Sequence, residues 1–178
     1  MSESTHITSI TAATPHIQLQ MLSDPMLLSG AREMVLWVAR RSGFNELDCS
    51  QIALAVDEAL CNVFRHGYDR HTDGMIWMSI WPRPATDAAP GSIKIVIEDE
   101  ARQVDPEGIK SRDLDDIRPG GLGVHIIKEV MDEVVYERRP RRGMRLTMEK
   151  TISPPATNVA TDGTTAPASD LGNVGGAA

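Results

Sequence analysis

The 178 residues include 18 basic and 25 acidic side chains, for a formal net charge of −7, and are 41% hydrophobic and 24% charged. That length and apolar content fit one ordinary domain with a real core. The acidic balance argues against a surface built to neutralise nucleic-acid phosphates or anionic lipid, and no apolar run approaches membrane-spanning length.

Residues 1–14 are small and polar and read as a flexible leader, without the basic start or apolar core of a signal peptide. His16–Leu22 alternates, with Ile17, Leu19 and Met21 on one face, and predicts a short strand. Asp24 and Pro25 have the chemistry of a helix start. Leu28, Ala31, Val35 and Val38 continue that helix until Arg40, Arg41 and Gly43 end it, and Met34 and Trp37 are expected to widen its core face.

Asn45 is placed to cap a second helix, with Glu46 and Asp48 suiting its positive end. Within it, Ile52–Tyr68 reads as one amphipathic stretch that Gly67 closes. Glu58, Asn62 and His66 recur every four residues and would stack on one line beside the buried stripe. An acid, a carboxamide and an imidazole there suit either a pocket lining or a solvated edge. Cys49 and Cys61 are twelve residues apart on the same helix. Helical rise separates them by about 18 Å, too far for a bridge, so reduced thiols and a cytoplasmic protein are expected.

After the turn residues Asp69–Gly74, Met75–Trp81 reads as a strand stopped by Pro82, and 82–91 as the connector of a long-looped hairpin. Ser92–Asp99 is the strongest strand pattern in the chain. Period two puts Asp99 on the same inward face as Ile93, Ile95 and Ile97. A carboxylate carried inward is costly to bury without a partner, which makes Asp99 a candidate for chemistry.

Periodicity then lapses from Ala101 to Pro119, as in a functional or a disordered segment. Gly120-Gly121-Leu122-Gly123 leads into a helix marked by Val124, Ile127, Val130 and Met131, where backbone N–H groups form a phosphate seat. Glu133–Glu137 and Met144–Ile152 read as a closing hairpin. Arg138, Arg139, Arg141, Arg142 and Arg145 cluster around its turn, as a solvated tip or as a docking patch for an acidic partner. Residues 153–178, rich in Pro, Thr, Ala and Gly, read as a disordered tail. That leaves 15–152 as the folded domain.

Three stretches together carry a specific resemblance. Asp57–Tyr68 (DEALCNVFRHGY) resembles the N-box of the small bacterial anti-sigma-factor serine kinases, within the Bergerat ATP-binding fold shared by gyrase and histidine kinases. Ile97–Pro106 sits where that family's adenine box lies, and Gly120–Glu137 resembles its second glycine box. The resemblance covers roughly residues 16–152. It implies an α+β fold, a two-layer sandwich whose mixed, mostly antiparallel sheet is covered on one face by about three helices.

The resemblance also implies roles. Asn62 would bind Mg²⁺, Glu58 would be the general base toward an attacking hydroxyl, and Asp99 would accept a hydrogen bond from the adenine amino group. His66, Ala101, Arg118, Gly120, Gly121, Leu122 and Gly123 would contact the ATP, under a lid formed by 102–119. The implied activity is a serine/threonine kinase that phosphorylates an anti-anti-sigma (STAS-type) antagonist and sequesters a sigma factor, usually as a homodimer, without touching nucleic acid or membrane.

One departure stands out. The adenine box usually carries glycine, whereas this chain reads Asp99-Glu100-Ala101-Arg102-Gln103. An alanine fits there only with negative φ. A module of the same fold that binds its regulator with little or no ATP chemistry is the alternative.

Overall fold

Period-two patterning becomes a single sheet in the computed structural model, which describes residues 14–109 and 122–153. The strands are β1 (Ile17–Leu22), β2 (Met75–Arg83), β3 (Ser92–Asp99), β4 (Glu133–Arg138) and β5 (Met144–Thr151). They lie in the order β1-β2-β3-β5-β4, so the chain leaves β3, crosses the sheet's helical face and returns at the edge to form the β4–β5 hairpin. Every pairing is antiparallel, so the expected mixed sheet is antiparallel throughout among the described residues. Register aligns the inward rows: Ile80 sits between Ile17 and Ile95, and Met78 between Leu19 and Ile97.

Three helices cover the inward face: α1 (Pro25–Arg41), α2 (Glu46–Asn62) and α3 (Leu122–Val130). Both expected caps form. The Asp24 side chain accepts from the Met26 N–H, and that of Asn45 from the Asp48 N–H. Val35 and Val38 of α1, Ile52, Val56 and Leu60 of α2, and Ile127 of α3 meet Ile76, Met78, Ile95 and Met148 of the sheet in one apolar cluster. This is a two-layer α+β fold. Among the described residues no helix is long and apolar enough to cross a membrane.

The structure departs from the sequence expectations in three places. Trp37 is 59% exposed and forms no part of the core, which α1 fills with smaller Val and Ala side chains. Strand β2 runs through Pro82 rather than stopping there. Ile80 bonds toward β1, so two residues on Pro82 faces the same side, beyond the end of β1, where its missing N–H has no partner to lose. Finally, α2 gives way after Asn62 to a π-helical turn over Val63–Gly67, closed by the Tyr68 N–H on the Val63 carbonyl at 2.9 Å. Gly67 does not end the helix through a positive φ. Asp69 (φ 50°) and Arg70 (φ 67°) take the left-handed conformation instead.

Residues 1–13, 110–121 and 154–178 lie outside the described residues. The expected leader and tail fall almost wholly there, as does most of the expected lid.

Ile95 is fully buried at the centre of the sheet. Ile95→Ala is expected to cost about 2–5 kcal/mol in urea unfolding, and Trp37→Ala at the exposed position about 0.5 kcal/mol or less.

Candidate functional site

Asp99 follows three isoleucines inward and is only 5% exposed. Its Oδ1 accepts from the backbone N–H of Ala101 at 2.8 Å and of Met144 at 3.2 Å. No described residue bonds Oδ2. Burial holds the Asp99 pKa above the usual carboxylate value, and the two N–H bonds and the Arg139 charge offset only part of that shift. The Asp99 carbonyl accepts from Arg139 Nη1 at 2.6 Å. Gly143 (φ 85°) packs so closely on the same carbonyl that a Cβ there would overlap it.

A cavity of about 230 Å³ opens over this carboxylate. Its walls are mostly apolar, with Val63, Ile97, Val104 and Leu146 among them, and Asn62, His66 and Arg102 add polar groups. The structure therefore brings Asn62, His66 and Asp99, far apart in sequence, around one space. The π-helical turn moves His66 off the Glu58–Asn62 line, because four residues fall short of one turn there. His66 is exposed and still borders the cavity.

Glu58 stands one helical turn before Asn62, against the first turn of α3. A Cβ on Gly123 would come within 2.5 Å of Glu58 Oε2 and 3.4 Å of Asn62 Nδ2, so the bare glycine leaves room for both side-chain ends at the start of α3. Leu122 beside it is exposed. Arg118, Gly120 and Gly121 lie outside the described residues.

Ala101 stands where the resemblance implies a glycine. It is 2% exposed, and its φ is not positive. Its methyl packs where a Cβ on Gly67 would come within 2.9 Å, so the glycine at 67 leaves room for the alanine at 101. Gln103 Nε2 donates to the Arg139 carbonyl at 2.6 Å, and Arg138 Nε donates to the Val104 carbonyl at 3.0 Å. These bonds fasten the segment after β3 to the β4–β5 turn. They also redefine the basic cluster. Arg138 reaches Asp105, Arg139 and Arg145 both reach Glu98, and Arg139 lies 5.0 Å over the Trp77 ring. Much of the cluster is internal bracing.

Sequence reasoning missed Tyr136 and Met144 as lining residues. Alternation with Val134 could have turned Tyr136 inward. Burial alone pushes its phenol up to about 12. Nothing in the local pattern marks Met144, which reaches the site through the β3–β5 register.

Comparison with known proteins agrees with this geometry. A family model described as a histidine kinase-like ATPase domain matches residues 21–150. The serine-protein kinase RsbW of Staphylococcus aureus is 30% identical over 144 residues, which is 76% of this chain and 86% of that protein. RsbW of Staphylococcus epidermidis is 29% identical over 146 residues, covering 77% and 87%, and RsbW of Oceanobacillus iheyensis is 26% identical over 146 residues. A chain in the crystal structure of the SiaB–SiaC complex from Pseudomonas aeruginosa shares the fold, with a TM-score of 0.51 and 12% identity over 80% of this chain and 93% of that one.

Two outcomes follow from the geometry. Asp99→Asn keeps an Oδ1 acceptor for both N–H bonds and removes the buried charge. A carboxyl with a raised folded pKa is least costly when protonated, so its penalty grows as pH rises through that pKa. The variant is therefore expected to melt a few degrees higher than wild type at pH 7, a gain that disappears in acid. Gly123→Ala is expected to push the Glu58 carboxylate aside rather than part the helices, and so to cost about 1 kcal/mol or less in urea unfolding.

Proposed function

The chain belongs to the histidine kinase-like ATPase domain family, and from that premise we propose that it is an anti-sigma-type serine/threonine protein kinase. It would use Mg-ATP to phosphorylate a serine on an anti-anti-sigma antagonist and would hold a sigma factor, as a cytoplasmic homodimer. The observation that carries this proposal is the Asp99 cavity. Its apolar walls suit the faces of a purine, and a carboxylate oxygen that no described residue bonds suits the 6-amino group.

The donor set also fits Mg²⁺. Asn62 offers a hard carbonyl oxygen at the cavity, and no cluster of three or more His, Cys, Asp or Glu side chains forms a cage among the described residues. A metal shared with phosphate oxygens needs only such a partial set of protein ligands. When bound, the ion would neutralise charge on the phosphates. Glu58, one turn from Asn62, would take the proton from the acceptor hydroxyl as it attacks. The N–H groups at Leu122 and Gly123 would face the phosphates with those of Gly120 and Gly121, and Arg118 would add positive charge. His66 would line the mouth, and Ala101 would hold the Asp99 turn.

The alternative, a regulator-binding module with little or no ATP chemistry, draws on Ala101 and Gln103 standing where glycines are expected. An alanine without positive φ, seated against Gly67, favours the kinase reading at that position. The named relatives are serine-protein kinases, and the solved neighbour belongs to a two-protein complex. Both support a kinase that acts within a protein complex.

Calorimetry with ATP and ADP, with and without Mg²⁺, tests the proposal alongside transfer of labelled phosphate to a serine-bearing antagonist. Glu58→Gln is expected to lower transfer about 10²- to 10⁴-fold while leaving ADP affinity unchanged. Asn62→Ala is expected to abolish the Mg²⁺ dependence of binding. Nucleotide binding by wild type without transfer to any serine-bearing antagonist would overturn the kinase assignment.

A further inference from the structure

Tyr68 lies just beyond the π-helical turn, and the proposed chemistry leaves its phenol unused. The hydroxyl donates to the Met75 carbonyl at 2.6 Å and accepts from the Glu100 N–H at 2.9 Å. Met75 opens β2. Glu100 is the single residue between Asp99 and Ala101, whose N–H holds Asp99 Oδ1. One phenol thus ties the segment following Asn62 to the turn that orients Asp99.

The phenol is itself held firmly. The Tyr68 N–H closes the π-helical turn on the Val63 carbonyl, and the Tyr68 carbonyl accepts from the His71 N–H at 2.9 Å. Its ring lies against Gly74, where a Cβ would overlap it. Gly74 is anchored in turn by Ser23, which is fully buried: the Gly74 N–H donates to Ser23 Oγ at 3.0 Å, and the Ser23 N–H donates to the Gly74 carbonyl at 2.8 Å. Burial, with the Asp99 and Glu100 charges, raises the phenol pKa, so the donor persists through neutral pH.

We propose that Tyr68 is a positioning residue for base recognition: its hydroxyl pins the Glu100 N–H, which keeps the Ala101 N–H on Asp99 Oδ1 and leaves Oδ2 for the amino group of a 6-aminopurine. The inference rests on the adenine reading of the cavity. Glu100 is exposed, so without the phenol its N–H can turn to water. The loss then falls on the geometry of the turn more than on the fold.

The test is calorimetric titration of the full chain with ADP and with purine riboside 5′-diphosphate, which lacks only the 6-amino group. Wild type is expected to prefer ADP. Tyr68→Phe is expected to weaken ADP about tenfold, the scale of one hydrogen bond, and to leave the analogue unchanged. In an Asp99→Asn background the same substitution is expected to change neither affinity. Equal weakening of both ligands, or no change in either, would overturn the positioning role. Wild type that binds the two equally would instead overturn the adenine reading, and this inference with it. Should Tyr68→Phe fail to fold, amide exchange on the unaltered protein decides. ADP is expected to slow exchange at Glu100 and Ala101 more than the analogue does, and equal slowing would count against the proposal.

Discussion

A carboxylate at the end of a row of isoleucines is costly to bury unless backbone donors meet it, and that constraint organises one end of this molecule. The donors on Asp99 Oδ1 come from Ala101, two residues on, and from Met144, across the sheet. Supplying both at once requires a particular turn after β3 and a particular β3–β5 register. Arg139 and Gly143 then close on the Asp99 carbonyl, which fixes the β4–β5 turn to the same point. Tyr68 brings in the end of α2 through Glu100. Several segments of chain converge on one acid, and among the described residues none bonds its second carboxylate oxygen.

The arginines around the β4–β5 turn take their meaning from this arrangement. On an acidic chain, five arginines within eight residues suggest a surface for an acidic partner. Three of them instead serve β3 and the segment after it, through Asp105, Glu98 and the Asp99 and Val104 carbonyls. Half-exposed ion pairs of this kind contribute little stability individually. Their effect is positional, because they hold the loop that flanks the cavity against the edge strand.

The other end of the site depends on close helix approach. Gly123 lets α3 start directly against Glu58 and Asn62, so the proposed base and the proposed metal ligand stand beside the proposed phosphate seat. A π-helical turn follows at once, and the wider turn carries Val63, His66 and Gly67 along the cavity. Gly67 and Ala101 belong to the same packing problem, since a Cβ at 67 would come within 2.9 Å of the Ala101 methyl.

By itself the sequence determined most of the elements and marked Asn62, His66 and Asp99, which line one cavity. Period two marked β1, β3 and the inward course of Asp99, helical spacing marked α1, α2 and α3, and Asp24 and Asn45 announced their own caps. These are local properties, set by residues within a turn or a pleat of one another. The tertiary structure alone decided that Met144, 45 residues away, holds Asp99, that Trp37 faces outward, that Pro82 stays in its strand, and that Ala101 is buried without a positive φ. Each of those outcomes depends on which segments register side by side and how much room they leave. No window along the chain contains that information, because the partner lies far away in sequence and arrives only when the sheet and helices close.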